Sequence, residues 1–271
     1  MNKNIAIPSL SSLYLPIILL LIVPITLILK DSLNVSSYIN IQKDLFYYIN
    51  SKLGKYPLFE NNITQMGDAL VFLSLLSVLF HRTPKLWEVL ISSSLISLIL
   101  SSLLKNIFSV PRPAAFLDPN SFIIIGKTLR ANNSLPSGHC ITIFTILTVI
   151  FYHYYQNNWK YKIIAGSSML IFGSVLAISR VAVGAHFPLD VIVGSIVGYI
   201  CGVMGFLINR RFNIWGWIGN KKYYWFFILA FLGCIIAIIK KITNENLFIF
   251  YLPLICLGYS FYKISFFYVK K

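Results

Sequence analysis

Charge is scarce in this sequence. Asp, Glu, Lys and Arg make up 11% of its 271 residues, against about 25% in ordinary soluble domains. So few charges could not cover a water-facing surface, which excludes a soluble globular protein. Acids are scarcer still, 8 against 23 basic residues, for a formal net charge of +15. No basic run interleaved with aromatics occurs, so nucleic acid is excluded as the partner of that charge. Cysteine is sparse. Cys140, Cys201, Cys234 and Cys256 sit in or beside apolar runs with no CxxC pair, which excludes a disulfide scaffold and reads as small buried hydrophobes. There is no internal repeat, and the composition is neither disordered nor collagen-like.

Apolar residues are abundant, at 57%, and they fall in long runs. Eight candidate spans are read at 13–29, 67–80, 89–108, 139–155, 161–182, 190–208, 223–240 and 247–268. Several approach the roughly 20 residues that cross a hydrocarbon core of about 30 Å. The chain is therefore expected to be all-α, a polytopic membrane helical bundle forming one domain over 1–271. The first run has only Lys3 upstream and no small-x-small cleavage site, so it reads as a retained span, bent at Pro16 and Pro24, rather than a signal peptide. Residues 31–64 carry mixed charge with Ile41, Leu45, Tyr48 and Ile49 at helical spacing. Two readings stay open there, an interfacial helix or an ordinary external loop. Gly194, Gly198, Gly202 and Gly205 recur at a spacing suited to close helix packing.

Alternating the spans sorts the connections into two sets. One holds Lys3, Arg82, Lys85, Lys160, Arg210, Arg211, Lys221, Lys222, Lys270 and Lys271, with Glu88 as its acid. Basic, acid-poor connections face the cytoplasm and anionic bilayer lipids, so both termini are expected inside. The other set carries most of the acids.

A group of polar residues gathers where spans three to six meet the external side. Lys105 and Arg112 flank the end of the third span, Ser137 and His139 open the fourth, Arg180 ends the fifth, and His186 and Asp190 open the sixth. Ionisable residues at membrane depth are costly, so such a gathering points to function. Three cations, two of them planar guanidinium forks, suit a phosphoryl dianion. The backbone amides of Ser137, Gly138 and His139, at a helix start, are further anion donors, and the Ser137 hydroxyl another. A carboxylate four residues from an imidazole can fix its tautomer, which makes His186 a nucleophile oriented by Asp190. His139 is then the general acid for the leaving oxygen, and later the base on water. His81 and His153 fall toward the other side and are assigned packing or interface roles.

These residues also form three motifs. Lys105-Asn-Ile-Phe-Ser-Val-Pro-Arg112-Pro113 resembles the K-x6-R-P motif of the type 2 phosphatidic-acid phosphatase (PAP2) superfamily. Pro136-Ser137-Gly138-His139 is similar to its P-S-G-H, and Ser179-Arg180 through His186 to Asp190 is similar to its S-R-x5-H-x3-D. The resemblance implies a PAP2-like core over residues 60–208 within a six-span plan, with an additional C-terminal helical pair at 223–268. It implies His186, His139 and Asp190 as catalytic residues, with Lys105, Arg112, Ser137, Gly138 and Arg180 binding phosphate, and no metal or other cofactor. It also implies that the loop at 114–135 is a partial lid or another substrate-side element. No motif position departs from the pattern.

The expected activity is removal of a phosphomonoester or pyrophosphate headgroup from a membrane lipid at the extracytoplasmic face, through a phosphohistidine. Undecaprenyl pyrophosphate, phosphatidylglycerophosphate, phosphatidic acid and lipid A are the candidate substrates. Lys127 and Arg130 are candidates for a second headgroup contact, with lipid anchoring as the alternative. Two other functions stay open: a phosphotransferase with a non-water acceptor, and a transporter of anionic lipids. The expected location is a bacterial cytoplasmic (inner) membrane.

Overall fold

A computed structural model describes residues 8–154 and 158–269. Lys3, Lys270 and Lys271, used above for orientation, lie outside the described residues. Every regular element among those described is helical. The α-helices are α1 (Tyr14–Leu29), α2 (Val35–Leu53), α3 (Pro57–Gln65), α4 (Ala69–Leu76), α5 (Pro84–Phe108), α6 (Pro113–Phe116), α7 (Gly138–Tyr154), α8 (Trp159–Ala182), α9 (Pro188–Phe212), α10 (Tyr224–Asn244) and α11 (Tyr251–Val269).

Among the described residues six helical segments are long and apolar enough to cross a membrane: Leu10–Leu29, Pro84–Phe116, Trp159–Ala182, Pro188–Phe212, Lys221–Asn244 and Phe248–Val269. The chain is a multi-pass membrane protein with a helical-bundle fold. The run at 67–80 is not a straight span. It is the second arm of a pair, Pro57–Gln65 and Ala69–Leu79, bent by 68°. The bend has a local cause. Asp68 caps the new helix, its Oδ1 accepting from the amides of Leu70 and Val71 at 2.9 and 3.4 Å, which ends one helix and starts another. The run at 139–155 becomes the 17-residue apolar helix α7.

Helix α7 forms the centre, packed against α5, α8 and α9. Ile141, Ile143 and Ile146 of α7, Val197, Cys201 and Phe206 of α9, and Leu90 of α5 are all buried. Gly194, Gly198 and Gly202 of the α9 glycine stripe lie on α7, and Gly205 meets Ser93 of α5. A β-carbon at Gly198 would fall 2.5 Å from the Ile141 carbonyl oxygen, and one at Gly194 2.7 Å from that of Ser137. Backbone approach this close fixes how far α9 sits from α7, and so where the two helix starts meet. Helix α1 stands outside, packed along α9, with Leu21, Ile25 and Ile28 exposed.

Helix α2 lies across the ends of α8 and α9. Its buried face is Tyr38, Ile39, Gln42, Phe46 and Asn50. The apolar set Ile41, Leu45 and Tyr48 points outward instead, an apolar face directed away from the bundle. The C-terminal pair α10 and α11 pack on each other and on α4. Phe80 anchors them, its ring 4.4 Å from that of Phe227 and 5.5 Å from that of Phe231. The hydroxyls of Ser260 and Ser77 meet at 3.0 Å.

Gly198→Ala should destabilise the protein by about 1–3 kcal/mol, since the backbones must separate to admit the methyl group. Gly233→Ala, where a β-carbon meets nothing within 4 Å, should leave stability unchanged or slightly raised. Thermal unfolding of both variants in detergent checks this. Equal melting temperatures would contradict the packing role.

Candidate active site

The fully buried carboxylate of Asp190 sits at the third position of α9, which Pro188 opens. Its Oδ2 accepts from the backbone amide of Phe187 at 2.9 Å, a carboxylate reaching back to the residue that caps its own helix. The same oxygen accepts the Ser134 hydroxyl at 2.6 Å. Oδ1 accepts the Tyr38 hydroxyl at 2.7 Å. Burial, and then the adjacent Asp190 carboxylate, push the Tyr38 hydroxyl far above the ordinary phenol range, so it remains a donor.

His186 lies just before α9, in the turn that follows α8. The Arg180 carbonyl accepts from the amides of Ala185 and His186 at 3.1 and 3.2 Å. Gly184 makes that turn possible, with φ +75° and space for a β-carbon only 2.7 Å from the Ile123 carbonyl oxygen. The His186 Nδ1 is 3.6 Å from Asp190 Oδ2 and 3.4 Å from Ser134 Oγ. The carboxylate is thus within charge-pairing range but beyond a good hydrogen bond, and the Ser134 hydroxyl stands between the two groups. On the other side of the ring, Nε2 meets Arg112 Nη1 at 3.3 Å. A guanidinium only donates, so Nε2 presents its lone pair and the proton belongs on Nδ1.

Arg112 is held by the neck of the long loop. Its backbone amide donates to Ala131 and the amide of Ser134 to Val110, which fastens the two ends of the loop side by side. Its Nε donates to Asn133 Oδ1 at 2.7 Å and its Nη1 to the Ala185 carbonyl at 3.3 Å. Lys105 reaches over Gly138: a β-carbon there would lie 3.2 Å from Nζ. Arg180 donates through Nη1 to Thr64 Oγ1 at 2.5 Å. None of the ion pairs among the described residues involves Lys105, Arg112 or Arg180. His139, in the first turn of α7, packs against the α3–α4 bend, where a β-carbon on Gly67 would fall 2.7 Å from its own.

The eight catalytic and phosphate-binding candidates named from the motifs are therefore gathered at one end of α5, α7, α8 and α9. One expectation is corrected. The amide of Ser137 donates to the Asp190 carbonyl at 3.0 Å and is not available to an anion, because α9 approaches α7 too closely there to leave it open. The first-turn amides of Gly138 and His139, which have no intrahelical acceptor, remain candidates. Among the described residues seven buried side-chain polar atoms have no protein partner, and two of them, the Ser137 hydroxyl and Arg180 Nε, belong to this site.

A cavity of about 240 Å³ opens beside His139 and Arg180. Its walls come from α3, from the loop through Gly126, Lys127 and Leu129, and from the C-terminal pair through Lys241 and Phe250. Of the two headgroup candidates the structure brings Lys127 to this wall. Arg130 is not part of it. The loop is pinned down by Asn50, which exchanges two hydrogen bonds of 2.8 Å with the backbone of Ile123 and gives a third to the Ala182 carbonyl. Sequence reasoning missed Tyr38, Ser134 and Lys241. Tyr38, Gln42, Phe46 and Asn50 repeat every four residues, a stripe that the outward-facing apolar set obscured. Ser134 and Lys241 carry no local pattern.

The family model of the PAP2 superfamily matches residues 86–214. The chain is 29% identical over 150 residues to the undecaprenyl-diphosphatase of Sulfolobus acidocaldarius, which covers 51% of this chain and 68% of that protein. It is 25% identical over 176 residues to the bacitracin transport permease protein BcrC of Bacillus licheniformis, covering 63% of this chain and 81% of the relative. The crystal structure of Aquifex aeolicus LpxE aligns with a TM-score of 0.51 at 29% identity, covering 62% of this chain and 95% of LpxE.

Burial first, and then Arg112, Arg180 and Lys105, hold the His186 imidazole well below the ordinary histidine value, outweighing the opposing hydrogen bond with Ser134. Removing a neighbouring positive charge favours the imidazolium, so Arg112→Gln should move the midpoint up. Imidazole NMR titration in detergent checks the sign. A wild-type midpoint at or above about 6.5, or a downward move in the variant, would contradict this electrostatic picture.

Proposed function

We propose that this chain, whose residues 86–214 match the family model of the PAP2 superfamily, removes the terminal phosphoryl group from a phosphate- or diphosphate-bearing membrane lipid through a covalent phosphohistidine at His186. The observation that carries the reading is the pair of unpartnered buried donors, Ser137 Oγ and Arg180 Nε, beside an imidazole whose lone pair faces Arg112. Buried donors without acceptors are costly. A phosphoryl group would satisfy both while neutralising Lys105, Arg112 and Arg180.

The chemistry follows from those positions. The Nε2 lone pair of His186 attacks phosphorus, and the bond from phosphorus to the leaving oxygen breaks. The oxygen takes a proton from His139, which lies on the cavity side. Nδ1 keeps its proton, held toward Ser134 and Asp190, so that the phosphorylated ring carries a positive charge beside a carboxylate. His139, now a base, takes a proton from water as it attacks the same phosphorus. Orthophosphate leaves and His186 regains its lone pair. The three cations and the first-turn amides stabilise the charge spread over the equatorial oxygens. They supply the positive charge that a metal provides in other phosphatases, so the reaction is assigned as metal-independent.

The basic connections orient the bundle with both termini in the cytoplasm and the site at the extracytoplasmic face of a cytoplasmic (inner) membrane. An amphiphile can then keep its tail in lipid while its headgroup enters the cavity. The relatives named as an undecaprenyl-diphosphatase and as LpxE support a lipid phosphate substrate. A transport function would need a second polar cluster and a path between the two. At the other end, Glu88 is paired with Lys85 and Asn209, and the middle of α7 is largely apolar, with the Thr145 hydroxyl donating to the Gly198 carbonyl.

Phosphate release by the purified chain in detergent tests the reading with prenyl diphosphate, phosphatidylglycerophosphate, phosphatidic acid and lipid A as substrates. Asp190→Asn should lower turnover by about 10³–10⁴-fold, as tautomer loss does in the serine-protease triad. Ser134→Ala, which leaves the carboxylate but removes the bridging hydroxyl, should lose about tenfold. Near-normal turnover in Asp190→Asn would reject the orienting role. EDTA should leave activity within about twofold, and restoration of a chelated enzyme by a divalent cation would reject the metal-free assignment.

A further inference from the structure

The C-terminal pair lies beyond residue 214, where the family match ends, yet it supplies one wall of the cavity beside His139. Lys241, in the last turn of α10, reaches Asp68 Oδ2 at 2.8 Å and lies over the Phe250 ring at 5.5 Å. Asp68 cannot follow a moving partner, because its other oxygen caps α4. The ammonium is therefore fixed at the cavity wall by one of its three donors, with two remaining. Lys127 lines the same cavity from the long loop. The cavity touches His139, which protonates the leaving oxygen, and His186 is not among its lining residues. It lies on the leaving-group side of the reacting phosphorus.

We infer that α10 and α11 complete a leaving-group subsite, in which Lys241 and Lys127 hold the lipid-proximal phosphate of a diphosphate lipid while its terminal phosphate reacts at His186. The inference rests on the phosphatase reading and names its substrate class. The bond from the terminal phosphorus to the bridging oxygen breaks, and the electron pair and the His139 proton go to that oxygen. The departing group is the lipid monophosphate, an anion that the two ammonium groups stabilise as it forms. A monophosphate lipid brings only an alcohol to the same place and gains nothing from them.

The test uses the full chain in detergent, with a prenyl diphosphate and the prenyl monophosphate of the same chain length, and reads initial kcat/KM for orthophosphate release. Lys241→Gln should lower the value for the diphosphate by about tenfold more than the value for the monophosphate, the size of one charge-assisted hydrogen bond. Lys127→Gln should repeat that selective loss from a different element, which guards against a local folding defect at α10. In the double variant Asp68→Asn with Lys241→Gln, a persisting selective loss supports direct contact with the phosphate. Recovery of the wild-type ratio would overturn it, leaving Lys241 as no more than the neutraliser of Asp68. Equal losses on both substrates in the single variants would also overturn it, while wild-type release from either lipid would leave the phosphatase reading intact. Release from neither lipid by the wild-type chain would reject the phosphatase reading, and the subsite with it.

Discussion

A carboxylate removed from water must be met by donors, or its burial costs several kcal/mol. Asp190 is met by three hydrogen bonds from three places in the chain: the Tyr38 hydroxyl of α2, the Ser134 hydroxyl at the loop neck, and the Phe187 amide at the start of its own helix. Each donor positions something else. Tyr38 draws α2 over the ends of α8 and α9. Ser134 lies beside the loop end that carries Arg112. Phe187 follows His186. One buried charge thus collects the His186 imidazole, the Ser134 hydroxyl and the Arg112 guanidinium. The glycine contacts of α9 with α7 bring the second histidine and Lys105 to the same place.

Much of this was legible in the sequence, and the reason is physical. Apolar runs of membrane length have few alternatives, so all eight became helical elements. The three motifs carry residues whose chemistry is coherent before any coordinates are known. The departures also have causes. Residues 67–80 bend away from a straight span because Gly67 leaves room for His139 and Asp68 caps a new helix. In α2 the apolar residues are the lipid-side or solvent-side face, while the face on the bundle holds Tyr38, Gln42 and Asn50. Its contacts are hydrogen bonds to backbone and carboxylate groups, which hydrophobic periodicity does not register. Gln42, for example, accepts the Leu189 amide at 2.9 Å. Ser137 looked like a backbone anion donor, and only the approach of α9 shows that its amide is already used.

The least legible part is the role of the last two helices. Their sequence is a pair of apolar runs that offers no catalytic candidate. In three dimensions they pack on the bent α3–α4 pair, whose Gly67 touches His139, whose Thr64 accepts from Arg180, and whose Asp68 holds Lys241. Asn62 adds a further tie, accepting the Ile249 amide at 2.9 Å. The bent pair is thus the joint between the motif-bearing helices and the C-terminal addition. A change in that addition would reach the cavity beside His139 without altering a motif residue.

The central claim is that the His186 lone pair becomes bonded to phosphorus. Rapid quenching of the working enzyme with a terminally ³²P-labelled lipid diphosphate, in alkaline detergent that preserves phosphohistidine, tests it most directly. The account predicts acid-labile label on the peptide carrying His186, and none in His186→Ala. Label on another residue, or phosphate release by His186→Ala at a wild-type rate, would contradict it.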